Sequence, residues 1–316
     1  MKHLNWRWLI AAAIGLLLLA WLLSWYFSRE PEVFNVVERA QADANTEQSQ
    51  LVSGYVTTTA LIGVMETLLD KPGGFIANDV MPPFIFMDNM PAFEFGALEM
   101  SRDLALAMRR EFSRSQSQSI QNTQLTVAQP ALNIDHTSWL MPSAESEYRE
   151  AIKQLRAYRL GLADGADYSA QFFARADNLR AWLTEVDKRL GSLSQRLSAS
   201  VASADVSIAG EQSMAPTSWW QIDDVFYEAR GATWALLHFL RAIEHDFAAV
   251  LEDKNAMVSL RQIIRELEAT QASIWSPMIL NGSGFGFMAN HSLVMANFIS
   301  RADAALIDLR DLLAQG

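Results

Sequence analysis

Apolar and polar positions alternate in two distinct ways along this chain. An uncharged apolar run extends from Leu9 to Phe27. At a helical rise of about 1.5 Å per residue it spans roughly 28 Å, close to the hydrocarbon thickness of a bilayer. No second run of this kind follows. Beyond it the pattern is helical with one polar face. Leu51, Tyr55, Thr58, Ile62, Met65 and Leu69 alternate steps of four and three, which is one helix face, and Lys71-Pro72-Gly73-Gly74 ends it. A second helix is predicted from Ala92 to about Phe112, behind Pro91. A third follows Ser143, a capping serine with acidic residues in the next turn. Four more show in Ala176-Leu179-Leu183-Val186-Leu190-Leu193-Leu197, in Ile222 to Val250, in Ala256 to Ile274 after Asn255, and in His291-Met295-Phe298-Ala302-Ala305-Leu309-Leu312. A repeat near 3.5 residues gives shallow left-handed packing. The predicted class is all-α: a single N-terminal transmembrane helix followed by a long-helix bundle or helical-hairpin domain.

Two polar stretches, 113–137 and 199–218, read as connections between helical blocks at about 48–112, 143–198 and 217–314. Residues 1–8 form the stub before the anchor, 9–28 the anchor, 29–47 a linker, and 48–316 the body. A cleaved signal would end in a small-x-small site; here the run closes on Trp25-Tyr26-Phe27. Trp6, Trp8, Trp21, Trp25 and Tyr26 lie towards its ends, as interfacial aromatic belts do. Lys2 and Arg7 precede the run and Glu30 and Glu32 follow it. The positive-inside rule then puts the N-terminus in the cytoplasm and the body outside it, in a bacterium the periplasm.

Composition supplies a core: half the 316 residues are apolar, with ten Trp and sixteen Phe. A net charge of −11 argues against nucleic acid as a partner and against electrostatic docking on anionic lipid, since both are polyanionic. Cysteine is absent, which removes disulfides, thiol nucleophiles and thiolate metal ligands.

Several strings are specific. Leu68-Leu69-Asp70-Lys71-Pro72-Gly73-Gly74-Phe75, Asp88-Asn89-Met90-Pro91, Arg114 to Ser119, Gly282-Ser283-Gly284-Phe285-Gly286 and Asn290 to Asn297 together resemble a proteobacterial family of inner-membrane proteins catalogued as a domain of unknown function. The resemblance runs over nearly the whole chain, anchor included. It implies a Gram-negative envelope setting and supplies no catalytic residue.

Candidate chemistry is sparse. His238 and His245 are seven residues apart on one face and, with Phe226, Thr233, Leu240 and Phe247 at a positions, fall opposite the seam. They are about 10 Å apart along the axis, too far to share a metal unaided. A structural or solvated role is expected, with no metal and no cofactor. His291 sits on the seam of the last helix and reads as a satisfied buried polar group. Gly282, Gly284 and Gly286 precede that helix; without a strand before them they read as a tight turn rather than a phosphate cradle, though with His291 they could wall a pocket. Trp219 and Trp220 read as the start of a helix. The densest apolar segment is 80–95, where Phe84, Phe86 and Phe93 flank Asp88 and Asn89 among Pro82, Pro83 and Pro91. It is expected either to plug one end of the bundle or to face a partner or lipid.

The function these readings favour is a bitopic inner-membrane protein whose periplasmic helical domain binds or scaffolds. Its expected partners are the bilayer, through residues 9–28, and an envelope protein. Rival readings are an envelope hydrolase using His291 or His136 with a carboxylate from a neighbouring helix, and a ligand sensor that signals through a partner.

Overall fold

The computed structural model describes residues 6–115, 120–164, 170–199, 221–276, 278–282 and 288–315. Among them are eleven α-helices and no strand; a lone bridge joins Asn281 to Asn290. The chain is all-α, as the periodicity requires. The first helix, α1 (Trp6–Phe27), buries none of its residues and is long and apolar enough to cross a membrane.

The body starts earlier than the pattern indicates. Residues 29–47, read as a linker, hold α2 (Val36–Glu47), begun by Asn35, whose side chain accepts from the backbone N–H of Val37 and Glu38. Val36, Ala40 and Ala44, four apart, form a narrow buried stripe. Small residues bury little area, so the hydropathy signal is weak beside the polar majority of this helix.

Next come α3 (Tyr55–Asp70), a single 3₁₀ turn (Phe84–Phe86), and α4 (Asn89–Ala107), which ends in a π-helical turn (Met108–Phe112). The stretch 113–137, read as a connection, contains α5 (Thr123–Leu132), which packs on α6 (Ala144–Ala163). Then follow α7 (Ala176–Ala199), α8 (Ile222–Asp246), α9 (Ala248–Asp253), α10 (Met257–Thr270) and α11 (His291–Ala314). Residues 200–218 of the second expected connection, with Trp219 and Trp220, lie outside the described residues.

The helix α8 is the axis of the body. Every residue from Ala229 to Leu240 is buried, the pattern of a helix covered on all sides. It packs against α4, α3 and α10, while α7 and α10 flank α11. Helices from all three expected blocks share one hydrophobic cluster. Where α4 crosses α8 both helices present glycine. A Cβ on Gly96 would stand 2.0 Å from the Glu228 carbonyl oxygen, and one on Gly231 1.9 Å from that of Phe93. The backbones therefore touch.

One end of the bundle is organised around the exit of α1. Phe27 at its last turn packs against Phe84 with the rings tilted and their centroids 5.1 Å apart. Asn78 in the same α3–α4 connection donates to the Ser138 carbonyl, 2.9 Å, in the α5–α6 connection. Glu30, just past α1, pairs with Arg230 at 2.6 Å, and Arg230 also donates to the carbonyls of Thr270 and Ala272 at the start of the α10–α11 connection. Three interhelical connections thus meet at this end.

Candidate functional site

The five residues singled out between 80 and 95 separate into different environments. Phe93 is fully buried on the α8 side, its ring 5.7 Å from Trp234. Phe84 is half-buried and holds Phe27. Phe86 is 77% exposed. Asp88 starts α4 by accepting from the Asn89 N–H, and the Asn89 side-chain carbonyl is buried without a hydrogen-bond partner. The segment is part plug and part surface: Phe93 seals the core while Met81, Ile85 and Phe86 face outward.

That exposed face has neighbours. Trp139, Leu140 and Met141 of the α5–α6 connection and Trp275 and Met278 of the α10–α11 connection are likewise exposed. All lie in the three connections that gather where α1 leaves. Large apolar side chains in water are unfavourable by roughly 25 cal/mol per Å², so the exposure of these side chains carries a cost in water.

Beside it is a cavity of about 540 Å³ between α8, the end of α10 and the start of α11, with walls predominantly apolar. Phe226, Ile274, Leu280, Val294, Met295 and Phe298 supply most of the apolar lining, and Trp275 stands at its rim. Arg230 is the one permanently charged lining residue, engaged by Glu30 and by backbone carbonyls. His291 also lines it. Its Nδ1 accepts from the Leu280 N–H at 2.9 Å, so the proton sits on Nε2. Burial lowers the imidazole pKa, which keeps the ring neutral near pH 7. Gly282 is not part of the lining. It closes a tight reversal, donating to the Ala289 carbonyl and accepting from the Asn290 side chain, and a Cβ there would meet the Met288 oxygen at 2.3 Å. Gly284 and Gly286 lie outside the described residues.

The polar interior holds features that spacing did not reveal. Glu94, with no exposure, pairs with Lys71 at 2.6 Å and accepts from the N–H groups of Ile76 and Ala77. Burial pushes its pKa up to about 7, against the opposing pull of Lys71 and those amides. His238 is not solvated, contrary to its f-position assignment. It is fully buried, because residues 34–38 cover the face of α8 opposite the expected seam. Phe34 stacks on it with centroids 4.0 Å apart and donates its N–H to Nε2 at 3.1 Å. The Trp234 carbonyl, 2.7 Å away, accepts from Nδ1, and burial drives the pKa down to about 3.

His245 is a surface group raised by its contact with Asp246. Asp246 itself caps α3, accepting from the N–H and hydroxyl of Thr57 at 2.7 Å each; the N-cap residue there, Gly54, has no side chain to do so. His136 is half-buried against Phe95 (4.8 Å), and burial and Arg102 lower its pKa. Among the described residues no group of three or more His, Asp or Glu converges as a metal site.

A family model described as "Uncharacterized protein conserved in bacteria (DUF2333)" matches residues 1–316. No curated protein and no solved structure matches the chain.

Proposed function

The chain belongs to this bacterial family (DUF2333) over its whole length, and on that footing we propose that it is a single-pass inner-membrane protein of the cell envelope. Its N-terminus is cytoplasmic, and its helical body is periplasmic and acts by binding at the membrane surface. The observation that carries this reading is the grouping of Met81, Phe86, Trp139, Met141 and Trp275, all exposed, at the end from which α1 leaves. If α1 spans the bilayer, this end meets the lipid surface first. Amphipathic aromatics and methionines are suited to that interface. A body seated there is held at high local concentration for envelope partners, which suits a scaffold.

Two measurements test this. A reporter active only outside the cytoplasm, fused after Gln315, should be active in cells; activity of a cytoplasm-only reporter would reverse the topology. The chain has no cysteine, so single nitroxide labels can be placed on Phe86→Cys, Met141→Cys and Ile120→Cys in proteoliposomes. Labels at 86 and 141 should show oxygen accessibility typical of the lipid interface, while that at Ile120, exposed at the far end near Phe112, should read as aqueous. Equal aqueous readings at all three positions would refute the seating.

A further inference from the structure

We propose that the cavity between α8, α10 and α11 is a binding site for one hydrocarbon chain of a bilayer phospholipid. The inference rests on the seating described above and adds a ligand class to it. Three observations carry it. First, at about 540 Å³ the cavity has the size of a genuine ligand site, roughly 300–1,000 Å³, and its walls are Phe226, Ile274, Leu280, Met295 and Phe298 with few polar atoms. Methionine and phenylalanine tolerate chains of varied shape.

Second, the cavity lies beside the anchor. Arg230 in its wall is bonded to Glu30, which follows α1 by three residues. A chain leaving the outer leaflet would therefore enter without crossing water, and Trp275 at the rim, 97% exposed, has the amphipathic character of an interfacial residue. Third, the electrostatics favour the tail over the headgroup. Arg230, the sole permanent charge in the lining, is spent on Glu30 and the carbonyls of Thr270 and Ala272. The remaining polar groups near the mouth, His291 as a neutral Nε2–H donor and the Ser276 hydroxyl, suit an ester carbonyl and offer no counter-charge to a phosphate. Binding should consequently be indifferent to headgroup charge and nearly independent of salt.

The test uses the full chain in phosphatidylcholine vesicles that contain a phosphatidylcholine with a diazirine on one acyl chain. After irradiation the labelled residues are mapped by mass spectrometry. Labelling is expected on Leu280, Val294 and Phe298, unchanged when phosphatidylglycerol replaces the carrier lipid. Free diazirine fatty acid should label the same residues more weakly than the phospholipid does. Val294→Asp, at a rim position already half-exposed to solvent, should reduce the cavity labelling by about tenfold or more without changing the melting temperature. Ser273→Trp, which adds an indole at an exposed position of the lining, should do the same, so the result does not hang on one variant. Labelling of Ile85, Phe86 and Met141 alone would overturn the site while leaving the seating intact. Labelling confined to α1 would overturn both. Preference for free fatty acid would overturn the phospholipid assignment.

Discussion

Lys71 Nζ lies 2.6 Å from Glu94 Oε1, with the two side chains 3% and 0% exposed. The pair ties the turn after α3 to the first half of α4, and Glu94 also receives the N–H groups of Ile76 and Ala77. Removing two charges from water costs several kcal/mol per ion, and mutual attraction does not always recover it. Here burial prevails, since the Glu94 pKa rises to about 7 from 4.5.

A carboxyl whose folded pKa is raised contributes stability fully below its unfolded pKa and loses it as pH climbs through the folded one. The Glu94 contribution is accordingly present at pH 4.5 and lost by about pH 8. Glu94→Gln should match the wild type near pH 4.5 and exceed it in stability by about 3 kcal/mol at pH 8. Urea titrations of both proteins across this range check it; a variant less stable than the wild type at pH 8 would mean that the ion pair is net stabilising.

His238 has the opposite slope. Its folded pKa falls to about 3 from 6.5, so its contribution is fully present above pH 6.5 and declines as pH falls toward 3. Between pH 6.5 and 5 this amounts to about 2 kcal/mol. His238→Phe keeps the stacking on Phe34 but strands the Phe34 N–H, at about 1–2 kcal/mol. The variant should be less stable at pH 7.5 and draw level near pH 5. In ring-nitrogen NMR the wild-type imidazole should stay neutral at pH 5 with its proton on Nδ1.

His238 also shows where the sequence was legible and where it was not. Helices with one buried face, such as α7 and α10, announce themselves: Leu179, Leu183, Val186, Leu190, Leu193 and Leu197 fall on the seam read from spacing, as do Leu260, Ile263 and Leu267. The seam that spacing marks on α8 is buried (Phe226, Ala229, Thr233, Leu236, Leu240, Ile243), but from Ala229 to Leu240 the rest of the helix is buried as well, so a residue opposite that seam is also inside. What covers it is the Phe34 end of a segment whose buried stripe, Val36-Ala40-Ala44, is too small to stand out from its polar neighbours. The two misreadings have different causes: the stripe of α2 is too small to register, whereas α8 carries an apolar face as clear as that of α7 and is covered on its other side by tertiary packing that spacing does not encode. Of the cavity's lining, spacing draws attention to His291 alone as a wall residue; the walls from α8 and α10 come from tertiary packing that no local spacing encodes.

The crossing of α4 and α8 depends on two glycines that spacing passes over. Gly231→Ala would place a methyl 1.9 Å from the Phe93 carbonyl oxygen, and backbone cannot swing aside as a side chain does. Separation of the two helices would open the core around Phe93 and Trp234. The expected loss is about 3 kcal/mol, seen as a lower urea midpoint with an unchanged denaturant slope. Gly191→Ala, where nothing lies within 4 Å of the new methyl, is the matched control and should gain slightly from helix propensity.

The segment around Phe84, Phe86 and Phe93 should divide the same way in solution as it does in space. Phe93 is fully buried against Trp234, so Phe93→Ala removes a core ring and should cost about 3–5 kcal/mol. Phe86 is 77% exposed, so Phe86→Ser should alter stability by less than about 0.5 kcal/mol. Yet Phe86→Ser should weaken the contact of a label at Met141→Cys with lipid, because Phe86 belongs to the same exposed face. Phe84 stands between them: its ring lies 5.1 Å from Phe27, and Phe84→Ser should free the junction between α1 and the body at a smaller cost to folding. Thermal melts rank the three for stability, and nitroxide mobility at Arg29→Cys reads the junction. A junction label unmoved by Phe84→Ser would mean that the contacts after α1, the Glu30–Arg230 pair and the Trp234 bond to the Glu32 carbonyl among them, fix the body to its helix without the Phe27–Phe84 contact.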